Sequence, residues 1–216
     1  MLFLKKILSS LECFYCHSLF HYKFGMCQVS YNQFLSEHYS PRRQNLENTQ
    51  QLSLIDWPVQ ESQLLNTLVV TLKSTIYEPV WLDIAKLFSQ SFDLSDVDLK
   101  QTVIVFIPGS NPSRQHAKYF AQGLSAQLNV KVIDCLAWSD QVLQQKKLNK
   151  KDREKRVLTV DEEFTNPLKG YSKIVVIDDV VTTGNTLLAA HKALSLVTGA
   201  QVEFWVCFRR LEFSID

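Results

Sequence analysis

The sequence predicts an α/β fold, a central parallel sheet flanked by helices, preceded by a small cysteine-rich N-terminal module. Three observations carry that prediction. Four short runs, TVIVFIP (102–108), VKVIDCLA (130–137), KIVVIDD (173–179) and QVEFWVCFRR (201–210), are apolar and β-branched without alternation. Strands buried on both faces read this way. Helical patterns over 112–128 and 185–197 lie between them, so strand, helix, strand occurs twice, as crossover-linked parallel strands require. The composition is that of a folded domain: 216 residues, 46% hydrophobic and 21% charged, with a formal charge of +1. A disordered chain would be poorer in apolar residues.

Taken in order, residues 1–11 (MLFLKKILSSL) are apolar but interrupted by Lys5 and Lys6, too short to span a bilayer and without the apolar core and cleavage site of a secretory signal. No run of about 18 apolar residues follows. The five cysteines are odd in number, and Cys135 and Cys207 sit inside apolar runs. A cytoplasmic chain with reduced thiols and no membrane span is therefore expected. Cys13 and Cys16 form a C-x-x-C, Cys27 follows, and Ser30 stands where a fourth cysteine would complete a second pair. His17 or His21 would make a Cys3His zinc set. The alternatives are packing by Phe14, Phe20, Tyr22 and Phe24 in place of a metal, or a redox pair, which lacks a helix-opening context.

The polar stretch SPRRQNLENTQQ (40–51) reads as a linker or long loop. The expected division is thus 1–50, the cysteine-rich module and linker, and 51–216, the main domain. Leu64, Leu65, Leu68, Val69 and Leu72 recur at helical spacing. Val80, Ile84, Leu87 and Phe88 do the same after Pro79, a residue suited to a first helical turn. The span 138–170 is long, polar and charged and fits no element of this scheme.

Only six glycines are present, none spaced for G-x-G-x-x-G or a Walker A loop, which excludes both nucleotide-binding solutions. The most informative stretch is KIVVIDDVVTTGNT (173–186). A buried strand delivers two carboxylates, Asp178 and Asp179, to its C-terminal end, where open parallel sheets bind ligands. After Val180 and Val181, the turn Thr182, Thr183, Gly184, Asn185, Thr186 opens a helix. A helix N-terminus offers unpaired N–H groups and a positive dipole end to a phosphate. Gly184 lets backbone approach the ligand, and the hydroxyls add donors. Acids that accept from a diol, beside a phosphate cradle, describe a ribose 5-phosphate site. The alternative is a plain strand–turn–helix corner capped by Asn185 or Thr186.

This stretch resembles the motif that binds 5-phosphoribosyl 1-pyrophosphate (PRPP) in type I phosphoribosyltransferases: apolar strand, two acids, two variable residues, Thr-Thr-Gly-x-Thr. The resemblance implies that fold, with Asp178 and Asp179 on the ribose hydroxyls and residues 180–186 around the 5′-phosphate. Gln145, Leu148, Asn149, Asp152 and Arg153 resemble the mobile-loop signature of ComF-type proteins, although Arg156 stands where that family shows Asn. The cysteine-containing N-terminal segment and the FRR ending (208–210) are similar to ComF/GntX-type chains as well. Gly109 and Ser110 occupy the position of the pyrophosphate loop, where Gln115, His116 and Ala117 replace the family's Asn-Gln-Ala and the Arg-rich insertion before it is missing; a plain β–α connection is the alternative.

Residues 146–156 hold seven cations, among them Lys146, Lys147, Lys150, Lys151 and Arg153, against two carboxylates. That local +5 leaves about −4 for the rest of the chain. The resemblance implies a loop closing over pyrophosphate, with Arg153 stabilising the leaving group and Mg²⁺ bound with PRPP. Such a run also suits contacts to single-stranded DNA phosphates, or is simply a solvated loop. The ComF resemblance implies a role in natural competence, in uptake or processing of DNA, alongside competence proteins. The rival functions are a nucleobase phosphoribosyltransferase of purine or pyrimidine salvage, and a non-catalytic PRPP sensor or DNA-binding accessory. The acceptor substrate and the oligomeric state are not legible in the sequence.

Overall fold

Each of the four apolar runs contributes a strand to one sheet. The computed structural model describes residues 26–58, 69, 72, 78–109, 115–139 and 157–211. Among them α1 (Gln28–His38) leads into a hairpin of β1 (Tyr39–Leu46) and β2 (Thr49–Pro58). Then follow α2 (Glu78–Ser91), β3 (Thr102–Phe106), α3 (His116–Leu128), β4 (Lys131–Ile133), β5 (Leu136–Trp138), β6 (Leu158–Val160) and α4 (Glu162–Leu168). β7 (Lys173–Val181), α5 (Asn185–Ser195) and β8 (Gln201–Leu211) complete the described chain. The six-stranded sheet runs β1-β2-β8-β7-β3-β4. All its pairs are parallel except β1 with β2, so the expected α/β architecture is borne out.

Continuous apolar runs formed strands because both faces are covered. Ile104, Val175, Ile177 and Trp205 face α2 and α3, while Val103, Ile174, Val176 and Phe204 face α5. Phe88 links the helical layer to the sheet, edge-on to Phe120 (centroids 5.5 Å apart) and 5.6 Å from Trp205. Burying each such ring stabilises the fold by about 1.5–3 kcal/mol. α2 and α3 come close because Gly123 has no side chain: a Cβ there would lie 2.7 Å from that of Ala85. Val80, Ile84 and Phe88 are buried as their spacing predicted, and Val69 and Leu72 are helical and buried.

Three expectations are corrected. The polar stretch after residue 39 is not a linker. It forms the β1–β2 hairpin around a two-residue turn in which Glu47 takes φ 52, the left-handed geometry such turns demand. β2 opens on polar residues yet is buried, because it lies between β1 and β8; Gln51 and Ser53 are 1% and 0% exposed. The boundary expected near residue 50 therefore falls on β2. Second, VKVIDCLA is two strands. β4 ends at the exposed Asp134, and β5 leaves the sheet to pair antiparallel with β6. Third, the far end of span 138–170 is ordered as β6 and α4, tied back by Asp161 N–H to the Cys135 carbonyl (2.9 Å).

Two buried ionic groups lock the sheet. Glu203, 1% exposed, accepts from Lys173 Nζ (3.1 Å) and from Trp205 Nε1 (2.9 Å). Asp56 accepts from Arg42 (2.9 Å) and Arg209 (2.8 Å), and Arg209 also donates to Gln44, joining the hairpin to β8.

Candidate functional site

The site builds from the C-terminal end of β7. Ile174 to Ile177 are fully buried, and this packing fixes where the next residues emerge. Asp178 is half-buried, and its Oδ1 accepts the Asp179 backbone N–H at 2.9 Å. Asp179 is 7% exposed, with Oδ2 3.5 Å from His116 Nε2. Val181 is buried, whereas Thr182, Thr183 and Asn185 are exposed and Thr186 is half-buried. Asp178 and Asp179 thus lie near the end of β7, and residues 182–184 carry the chain from there into α5.

Gly184 is the residue that caps α5. It adopts φ 79, ψ −5, a left-handed conformation that glycine tolerates without cost. As a glycine, the N-cap has no side chain to bond the first N–H groups of α5, and its carbonyl accepts the Leu188 N–H at 3.0 Å. Here the turn presents hydroxyls and helix N–H groups together at the strand end, where an anion is favoured.

β3 supplies the neighbouring wall. Ile107 N–H donates to the Ile177 carbonyl (2.9 Å), carrying the β3–β7 pairing one step past Phe106 before Pro108 and Gly109. Gly109, Gln115, Lys118, Asp134 and Trp138 help line a cavity of about 360 Å³. Trp138 Nε1 donates to the Pro108 carbonyl at 2.8 Å, tying this lining residue to the end of β3. Lys118 Nζ lies 3.5 Å from Asp134 and 5.8 Å from the Phe106 ring centroid. Of the expected pyrophosphate loop, Gly109 lies at this cavity; Ser110 falls outside the described residues. So do Lys146, Lys147, Lys150, Lys151 and Arg153, in the segment between β5 and β6.

Beneath Asp179, the Cys207 thiol is pushed well above its usual range by burial and by the Asp179 charge. Burial, with Asp134 and Asp161 nearby, pushes Cys135 up to about 12. Neither is a nucleophile at neutral pH. Cys13, Cys16 and His21 of the expected zinc set lie outside the described residues; Cys27, half-buried, donates to Ser30 Oγ (3.3 Å). Among the described residues no group of three or more His, Cys, Asp or Glu is placed to hold a metal ion. Nor is any described helix long and apolar enough to cross a membrane.

Sequence reasoning passed over His116, Lys118, Asp134 and Trp138 as site residues. His116 was visible only as a departure from a loop pattern. Trp138 opened a span with no assigned element, and its placement comes from the antiparallel pairing with Leu158.

Residues 74–212 match the family model described as phosphoribosyl transferase domain. Among solved structures the chain is similar to the crystal structure of purine phosphoribosyltransferase from Pyrococcus horikoshii Ot3, at 15% identity. That similarity covers 54% of this chain and 81% of that one, with a TM-score of 0.29. No curated protein matches the chain.

Proposed function

Since the chain belongs to the phosphoribosyl transferase domain family, we propose that it binds PRPP at the end of β7 and transfers its phosphoribosyl group. The observation that supports this most is the left-handed Gly184 turn into α5, directly after Asp178 and Asp179 at the end of β7. The 5′-phosphate sits on the turn, and the ribose hydroxyls donate to the two carboxylates. Pyrophosphate lies toward Gly109, with the 360 Å³ cavity beyond it. In the reaction the acceptor's lone pair forms a bond to ribose C1 as the C1–O bond breaks, and the electron pair leaves with pyrophosphate through an oxocarbenium-like state. Arg153 and the neighbouring lysines neutralise that leaving group.

Magnesium fits this donor set. Two adjacent acids and no protein cage among the described residues suit an ion that keeps water, phosphate and hydroxyl ligands. When bound with PRPP, it supplies charge neutralisation of the pyrophosphate. The ComF resemblance extends the proposal to DNA processing in competence, with the +5 segment 146–156 contacting single-stranded DNA; zinc on Cys13, Cys16, Cys27 and His21 belongs to the same resemblance.

Calorimetry with PRPP and Mg²⁺ tests the site. Binding is expected for the native chain and its loss for D178A/D179A; a folded native chain that binds no PRPP overturns the reading. Pyrophosphate release across a panel of nucleobases separates a salvage enzyme from an accessory protein. A salt-dependent gel shift, unchanged after neutralising Lys150, Lys151 and Arg153, rejects the DNA contact.

A further inference from the structure

His116 is the first residue of α3, and its side chain is 11% exposed. It is wedged among three elements. Its ring stacks on Trp81 of α2, centroids 6.3 Å apart at 28°. Its Nε2 lies 3.5 Å from Oδ2 of Asp179 on β7, whose side chain is 10% exposed. Stacking on a buried tryptophan sets the plane of the imidazole, and Nε2 then stands at ion-pair distance from the carboxylate, where a protonated ring would favour one orientation of Asp179. A carboxylate held by a fixed partner keeps its accepting direction when a ligand arrives, so no ordering cost falls on binding.

We propose that His116 is a positioning residue for the acid pair, orienting Asp179 so that the site distinguishes a sugar bearing the 2-hydroxyl from one lacking it. The inference rests on the ribose 5-phosphate reading of the site. It assigns specificity for ribo- over deoxyribo-phosphates to a side chain that touches neither sugar nor phosphate.

The test compares dissociation constants for ribose 5-phosphate and 2-deoxyribose 5-phosphate, by calorimetry, on the full chain and on D179N, H116L, H116N and H116Q. A hydrogen bond to a carboxylate predicts that the native chain prefers the ribo-sugar by about tenfold. H116L is expected to bring that ratio toward one while binding of the deoxy-sugar stays within about twofold. H116Q carries its amide nitrogen near the position of Nε2 and should keep the preference. H116N, whose amide stops short, should lose it; the Gln–Asn contrast decides the matter if H116L fails to fold. A folded H116L or H116N that retains the native ratio, or that weakens both sugars equally, overturns the proposal. If D179N alone removes the ratio, the ribose site stands and the role of His116 falls. If the folded native chain binds neither sugar, the ribose 5-phosphate reading falls and takes this role with it.

Discussion

Leu46, the last residue of β1, fills the space into which a side chain on Gly184 would project. A Cβ on Gly184 would lie 2.7 Å from Leu46 Cδ2 and 2.9 Å from Cδ1. The turn that opens α5 is thus braced by a residue far from it in sequence, on a hairpin that reads as linker.

Gly184→Ala is expected to destabilise the protein by about 1–2 kcal/mol, because φ 79 is unfavourable for any residue with a Cβ. Urea unfolding checks this. L46A/G184A should recover only the part due to contact, since the flexible end of a leucine yields more readily than the backbone. Full recovery in the double variant would show that the left-handed conformation carries no cost.

Lys173→Met is expected to cost about 3 kcal/mol, because it leaves the Glu203 charge buried with only the Trp205 N–H. K173M/E203L should unfold at a higher denaturant concentration than K173M alone. The measurement is the chemical denaturation midpoint of the two variants.

Cys135 and Cys207 should resist alkylation at pH 8 in the folded protein, their thiols being held protonated by burial. Peptide mapping after iodoacetamide treatment should label both only once the chain is unfolded. Cys27, half-buried, should label in the folded state.

His38 gives the fold a sign-definite pH dependence. Burial lowers its pKa below 6.5, with Glu37 opposing. Below 6.5 the unfolded chain therefore takes up a proton that the folded chain resists, and stability falls as pH drops. Above 6.5 this contribution is flat. Calorimetric melting at pH 7.5 and 5.5 should show a smaller drop for H38F than for the native chain.

The end of β7 with its two acids and the turn into α5 were legible because strand burial, helix entry and turn chemistry are local. KIVVIDD declares a strand end, and TTGNT declares the turn after it. β2 was not legible, because Gln51 and Ser53 read as surface residues and are buried only by the tertiary accident of lying between two strands. The split of VKVIDCLA was hidden for a related reason: an apolar run does not say which sheet its second half joins. The partnership of His116 with Asp179 spans 63 positions and required the α2–α3 layer to be in place.

The hairpin also changes what counts as the folding unit. The family match begins at residue 74, after β2 has ended. A fragment cut there would turn β8, buried from Val202 to Phe208, into an exposed apolar margin with a row of open amide and carbonyl groups. Such a margin recruits other chains. Recombinant pieces trimmed to the matched span should aggregate, whereas pieces that start ahead of α1 should remain monodisperse.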